Sequence, residues 1–374
     1  MNPWRRPWDR SFRAHRPALD YIEPYDPGMF PRDASEKYGI PGEAIVDLAS
    51  NESPYPPPKP VVEAMARAAA AANRYPDPGY RDLKEALSRY LGQPVDNIAV
   101  GNGCAEIIDM VCKVFLDPLD KIAVTSPSYS LYALFGMLRD ARIVAIETKE
   151  PDFRVDSTAV LSQASDARVT FLCSPNNPTG GTVGGDDLER ILEGAEGLVV
   201  LDESYAEFAG RSAIPKVREY PNLIVARSMS KFFSLAGMRV GYAVASESII
   251  DDLEKIRLPF GISSVAEAAA VAALSCLPDY ERVRDEVLSE RSALMKEFSR
   301  MDGISPYPSE ANFIMARISP EIPDLPEKLC RAGILVRDLR GVPGLCHHCI
   351  RITVGTKEEN RRLLECLRAI IEAR

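Results

Sequence analysis

Seven short apolar runs between residues 98 and 245, each followed by a longer stretch of helical periodicity, constrain this chain more than any other feature. They are Ile98-Ala99-Val100, residues 122–125 (IAVT), 143–146 (IVAI), 169–173 (VTFLC), 198–202 (LVVLD), 223–226 (LIVA) and 240–245 (VGYAVA). Several are apolar throughout, without the alternation of a half-exposed strand, which suits strands covered by helices on both faces. The pattern predicts an α/β fold with a large, doubly wound and mostly parallel sheet. After Leu274 the rhythm changes. A charged helix over 279–301 leads into strand-like runs at 312–318, 333–337 and 350–354, which predict a smaller α+β domain completed by the N-terminal segment. The expected divisions are an arm at 1–45, a large domain at 46–274 and a small domain at 275–374. Within the large domain, 46–72 reads as an extended proline-rich connector (PYPPPKP, 54–60) followed by an Ala-rich helix over 61–72. The arm is expected to lie over another surface, for which a second subunit is a candidate.

The 374 residues exceed one small core, and 46% hydrophobic with 26% charged residues is the balance of a folded globular protein. The net charge of -9 comes without a basic block, so the chain lacks the surface that binding nucleic acid requires. No run approaches the roughly 20 apolar residues of a membrane span, and the first residues lack the apolar core of a signal peptide. A cytoplasmic protein acting on small molecules is expected. Eight scattered cysteines read as thiols more than as a disulfide framework. Cys346-His347-His348-Cys349 sets four possible zinc ligands in a row. Structural zinc sites draw on two separated ligand pairs, so the expectation is no metal and a loop leading into the strand 350–354.

Ligands of open α/β sheets sit beyond the carboxyl ends of the strands, so the residues after each run are where chemistry is sought. After the first comes Gly101-Asn102-Gly103-Cys104-Ala105-Glu106, a turn into a helix N-terminus that suits a phosphate, although such turns are often Gly-rich for packing alone. After the fourth comes Ser174-Pro175-Asn176-Asn177-Pro178-Thr179-Gly180, a rigid turn that can aim an amide. The fifth run ends in Asp202, a carboxylate at a buried strand end that needs a cation or donors. The sixth leads to Ser228, Ser230 and Lys231, then to Arg239. A lysine among hydroxyls and apolar side chains is partly desolvated, which makes its amine a competent nucleophile toward an aldehyde. Ser228, Ser230 and Arg239 are phosphate partners of the right kind.

These pieces, together with NESP at 51–54, NRYPDP at 73–78, LDESYAEF at 201–208 and IRITVGTKEEN at 350–360, resemble fold-type I aminotransferases and, within them, the histidinol-phosphate aminotransferase family. The resemblance runs from about Tyr21 to the C-terminus. It implies pyridoxal 5'-phosphate (PLP) held covalently by Lys231, which also shuttles the proton, and Asp202 facing the pyridine nitrogen. Tyr205 and Asn177 would bond the ring oxygen and Tyr129 would stack on the ring. Ala105, Glu106, Ser228, Ser230, Arg239 and, from a second subunit, Tyr75 would hold the phosphate. For the substrate it implies Arg351 on the α-carboxylate, Asn51 nearby, and Tyr25 and Arg337 at the phosphate end. The implied partners are an amino donor and 2-oxoglutarate, and the implied assembly is a homodimer with shared sites. The chain departs from the family in NESP where NENP is usual, and in Ala105 where an acid often stands.

Three other activities fit parts of the same pattern: a threonine-phosphate decarboxylase, an aromatic aminotransferase and a non-catalytic PLP-binding regulator. The third would need an attached DNA-binding unit, for which the N-terminal arm is too short.

Overall fold

The computed structural model describes residues 15–373, so residues 1–14 of the expected arm lie outside the described part. Among the described residues the strands are β1 (Val46–Leu48), β2 (Ile98–Gly101), β3 (Lys121–Ser126), β4 (Arg142–Glu147), β5 (Val169–Cys173), β6 (Leu198–Asp202), β7 (Leu223–Ser228), β8 (Gly241–Val244), β9 (Ile304–Pro306), β10 (Phe313–Ile318), β11 (Ile334–Asp338) and β12 (Cys349–Thr353). They form two sheets. The larger has the order β2-β8-β7-β6-β5-β3-β4, parallel except for β8, which runs antiparallel to both neighbours.

The unbroken apolar runs have a direct cause. In β6 Val199 and Leu201 enter one hydrophobic layer while Val200 enters the other, and in β7 Leu223 and Val225 part from Ile224 and Ala226 in the same way. Successive side chains of a strand point to opposite faces, so a sheet with two covered faces requires apolar residues at every position. The strand order reverses between β5 and β3, the kind of point beyond whose carboxyl strand ends open α/β sheets take ligands.

The smaller sheet has the order β1-β11-β12-β10-β9, with β1 parallel to β11 and the other pairs antiparallel. Residues 46–48, expected in the large domain, therefore belong to the smaller sheet; Val46 and Leu48 are buried there against β11. The second half of the expected arm folds as a helix, Pro31–Tyr38, started by Pro31 and stopped by Gly39 in the left-handed region. It lies over its own chain: Ala34 packs with Cys330 and Leu335, and the Tyr38 hydroxyl donates to Glu327.

The Ala-rich helix is Lys59–Ala69, ending short of Ala72. Residues 70–73 are fully on the surface, and helical propensity without a buried face does not hold a last turn. The charged helix is Leu277–Phe298, with Pro278 in its first turn. No helix of the described residues is long and apolar enough to cross a membrane.

Candidate active site

Asp202 is the last residue of β6 and is 4% exposed. Its Oδ2 accepts from the Tyr132 hydroxyl at 2.7 Å, and its Oδ1 accepts from the Ser204 backbone N–H at 2.9 Å and the Ser204 hydroxyl at 2.6 Å. Three donors meet the demand that a buried carboxylate makes. Tyr132, from the helix Leu131–Met137 after β3, is itself fully buried and stacked on Phe171.

Lys231 follows β7, the parallel neighbour of β6, at the same end of the sheet. Its Nζ donates to the Ser50 carbonyl at 2.9 Å. Burial, and then the nearby charge of Arg351, pull the amine down to about 8 from the ordinary 10.5, with Glu52 opposing and Arg239 adding a lesser pull downward. It is therefore uncharged far more often than a surface lysine at neutral pH.

An anion cradle lies beside it. The helix Cys104–Phe115 starts after Gly103, whose φ of 81° only glycine adopts cheaply. A side chain at Gly103 would strike the Arg239 guanidinium, and one at Gly241 would strike the backbone of Cys104. Arg239 Nη1 donates to the Ser230 hydroxyl at 3.2 Å, and the Ser228 hydroxyl accepts from the Ser230 N–H at 3.1 Å. Ser228, Ser230 and Arg239 thus come together beside the Gly103-Cys104 helix start, whose next residue is Ala105. The Glu106 N–H donates to the Gly103 carbonyl and the Glu106 side chain folds back to the Asn102 N–H, so this residue tightens the turn.

The other wall comes from the smaller sheet. Arg351 on β12 is 9% exposed; its Nη1 donates to Asn177 Oδ1 at 2.5 Å and its Nη2 to the Ala49 carbonyl at 2.6 Å. The Tyr205 hydroxyl accepts from Asn51 Nδ2 at 3.0 Å. Asn177 and Tyr205, expected together on a ring oxygen, are in this structure linked to Arg351 and Asn51. Burial drives the Tyr205 phenol upward. Arg351 Nε and Asn51 Oδ1 are buried and without a partner among the described residues. Polar groups left unpaired in a crevice are what a ligand satisfies.

Tyr129, largely buried and edge-on to Tyr132, stands close to Tyr205 and Asp202. Arg337 lies directly opposite Arg351 across β11 and β12 and donates to the Asp26 carbonyl. Burial chiefly, and then this second guanidinium, push Arg351 down. Tyr25 is 58% exposed yet within electrostatic reach of Tyr129 and Arg351. Tyr75 stands apart at 80% exposed, stacked on Phe260 with ring centroids 4.4 Å apart. The turn before β12 brings the Cys346 sulfur 3.2 Å from that of Cys349, the first residue of the strand, with His347 and His348 exposed between them. Sequence reasoning missed Tyr132, Ser204, Asn312 and Thr353; the spacing Tyr129-x-x-Tyr132 and the Asp202-Glu203-Ser204 step were the available signals.

A lysine kept below its ordinary basicity, between an anion cradle and a buried guanidinium, is an amine nucleophile placed for carbonyl chemistry. The molecule is thus an open α/β protein with a basicity-lowered amine beyond the carboxyl edge of its larger sheet. More narrowly, the chain belongs to the class I and II aminotransferases, whose family model matches residues 43–367. It is 46% identical to histidinol-phosphate aminotransferase 2 of Archaeoglobus fulgidus, over 95% of this chain and 100% of that one. It is 35% identical to the histidinol-phosphate aminotransferase of Methanothermobacter thermautotrophicus, over 96% and 97%. Among solved structures it is similar to the histidinol-phosphate aminotransferase of Sinorhizobium meliloti in complex with pyridoxal-5'-phosphate, with a TM-score of 0.87, 27% identity and coverage of 97% and 99%.

Proposed function

We propose that the chain is a PLP-dependent histidinol-phosphate aminotransferase that passes the amino group to 2-oxoglutarate, and that it works as a cytoplasmic homodimer. The residues fit the cofactor. The cradle of Ser228, Ser230, Arg239 and the Ala105 helix start suits its phosphate, the buried Asp202 suits a protonated ring nitrogen, and Lys231 suits its aldehyde. Bound there, PLP supplies an aldehyde carbon for the amino group and a ring that takes up electron density from the substrate. Lys231, whose amine burial lowers to about 8, serves as the base that moves a proton at the substrate α-carbon. Tyr205 and Asn177 orient the reacting end, and Tyr129 closes one face of the crevice against water.

The observation that carries the substrate class is the placement of Arg337 directly across from Arg351. Two guanidiniums side by side repel each other unless an anion lies between them, and a phosphate dianion answers two better than a lone carboxylate does. Tyr25 stands at the same end. For the assembly, Tyr75, Phe260 and Leu258 are large, exposed and neighbouring, which supports a second copy covering them and bringing Tyr75 to its partner's cradle.

A donor panel against 2-oxoglutarate tests the reading. Glutamate should form with L-histidinol phosphate far faster than with phenylalanine or tyrosine. Carbon dioxide released from threonine phosphate without a keto acid would replace it with the decarboxylase. The dimer is tested by sedimentation: Phe260→Asp should shift the chain toward monomer.

A further inference from the structure

The three residues after β1 join the two sheets through consecutive carbonyls. The Ala49 carbonyl accepts from Arg351, that of Ser50 from Lys231, and that of Asn51 from Asn312 Nδ2 at 3.0 Å. Asn51 is 1% exposed and has φ 53°, a left-handed conformation that a non-glycine residue keeps only when its surroundings impose it. Two side chains of the smaller sheet impose it here. Besides Asn312, the Thr353 hydroxyl accepts from the Asn51 N–H at 2.9 Å. Both are buried, Asn312 at 2% and Thr353 at 3%. Asn312 immediately precedes β10, and its own carbonyl accepts from the Val354 N–H just past β12. Thr353 lies two residues beyond Arg351 on β12, so their side chains share a face of that strand.

We propose that Asn312 and Thr353 are positioning residues: they hold the Asn51 backbone so that its side-chain amide meets the Tyr205 hydroxyl. This rests on the aminotransferase reading, because Tyr205 is the group whose orientation then matters. Its consequence is mechanical. Arg351, Thr353 and Asn312 ride on one sheet, so the substrate-side guanidinium and the amide that orients Tyr205 are set by a single rigid element. Asn51 is peptide-bonded to the segment that also accepts from Lys231. Any displacement of the smaller sheet therefore reaches Arg351 and Tyr205 together.

The test is a double-mutant cycle on the holoenzyme, which isolates the coupling between contacting residues. Thr353→Val removes the acceptor at similar volume and Thr353→Ser restores it; Asn312→Ala removes the donor. Asn51→Gly deletes the amide while tolerating the positive φ. In the otherwise unchanged enzyme, Thr353→Val and Asn312→Ala should each lower kcat for the amino donor about tenfold with a smaller change in KM. They should also shift the pH midpoint of the bound cofactor's visible absorbance, and Thr353→Ser should recover both. In the Asn51→Gly background the same substitutions should change kcat less than twofold and leave the midpoint in place. Equal effects in both backgrounds would overturn the proposal, as would an unmoved midpoint in a variant that folds and binds cofactor. Failure of the functional reading looks different, since the unsubstituted enzyme would then turn over no amino donor while the absorbance cycle still reads the coupling.

Discussion

Tyr132 donates its hydroxyl to Asp202 Oδ2 at 2.7 Å, and this joins the helix after β3 to the carboxylate that ends β6. The bond occupies one oxygen of Asp202, while Ser204 donates twice to the other. Tyr132→Phe keeps the ring stacked on Phe171 and leaves Oδ2 of a buried carboxylate one donor short. A hydrogen bond to a buried charged group is worth about 2 kcal/mol. Urea unfolding should show a loss of that order, and PLP should bind more weakly because the carboxylate is less firmly aimed. Unchanged stability and unchanged cofactor affinity would contradict this role.

The depressed lysine makes a prediction about the cofactor-free chain. Lys231 is pulled to about 8 from 10.5. A base whose folded value lies below its unfolded value holds fewer protons in the folded state between the two, so stability rises with pH across that window and the penalty is complete below it. A shift of that size is worth about 3 kcal/mol. Lys231→Met removes the titration. The stability of the variant relative to the cofactor-free parent should therefore be most favourable at pH 7 and fall by about that amount toward pH 10.5. A difference that stays flat between those values would be incompatible with a desolvated amine.

What the sequence made legible follows from where each constraint is local. Burial on both faces of β5, β6 and β7 appears as unbroken apolar runs, so these strands can be read to within a residue or two. Asp202 and Lys231 are legible because each ends or follows such a run. β1 is not legible, because three residues carry no periodicity and its partner β11 lies near the other end of the chain. Tyr132, Asn312 and Thr353 are hidden for a related reason. Each acts on another side chain or carbonyl brought near only by folding; for Tyr132 the Tyr129-x-x-Tyr132 spacing pairs two tyrosines but does not show the bond to Asp202, and Asn312 and Thr353 leave no spacing to read. Glu106 shows the converse: its place at a Gly-rich turn into a helix is legible, but the intraloop bonds that occupy its N–H and carboxylate are not.

Arg227, one residue before Ser228, is the centre of a buried ionic group. Its Nε meets Glu203 Oε2 at 3.0 Å and its Nη1 meets Glu207 Oε1 at 2.7 Å, with all three side chains 6% exposed or less. Arg227→Leu leaves two carboxylates without their cation, and breaking such a group costs about 3–5 kcal/mol. Urea unfolding of Arg227→Leu should show that loss, and adding Glu203→Gln and Glu207→Gln should return part of it. A loss below about 1 kcal/mol would mean that the charges are already neutralised another way.

Glu267, on the helix Ser264–Leu274, gives a pH dependence of opposite sign to that of Lys231. Burial first, and then the neighbouring charges of Asp82 and Asp77, push its carboxyl up to about 7 from 4.5. An acid raised in the folded state holds its proton there while the unfolded chain has released it, so its contribution to stability falls as pH climbs from 4.5 through 7. The side chain is partly open to solvent, so screening reduces the size of the effect without changing its sign. Glu267→Gln imitates the protonated form at every pH. Its melting temperature should match the parent's at pH 4.5 and exceed it at pH 8, with the gap opening between those values. A gap of equal size at both ends would show that the substitution acts through packing and not through the proton.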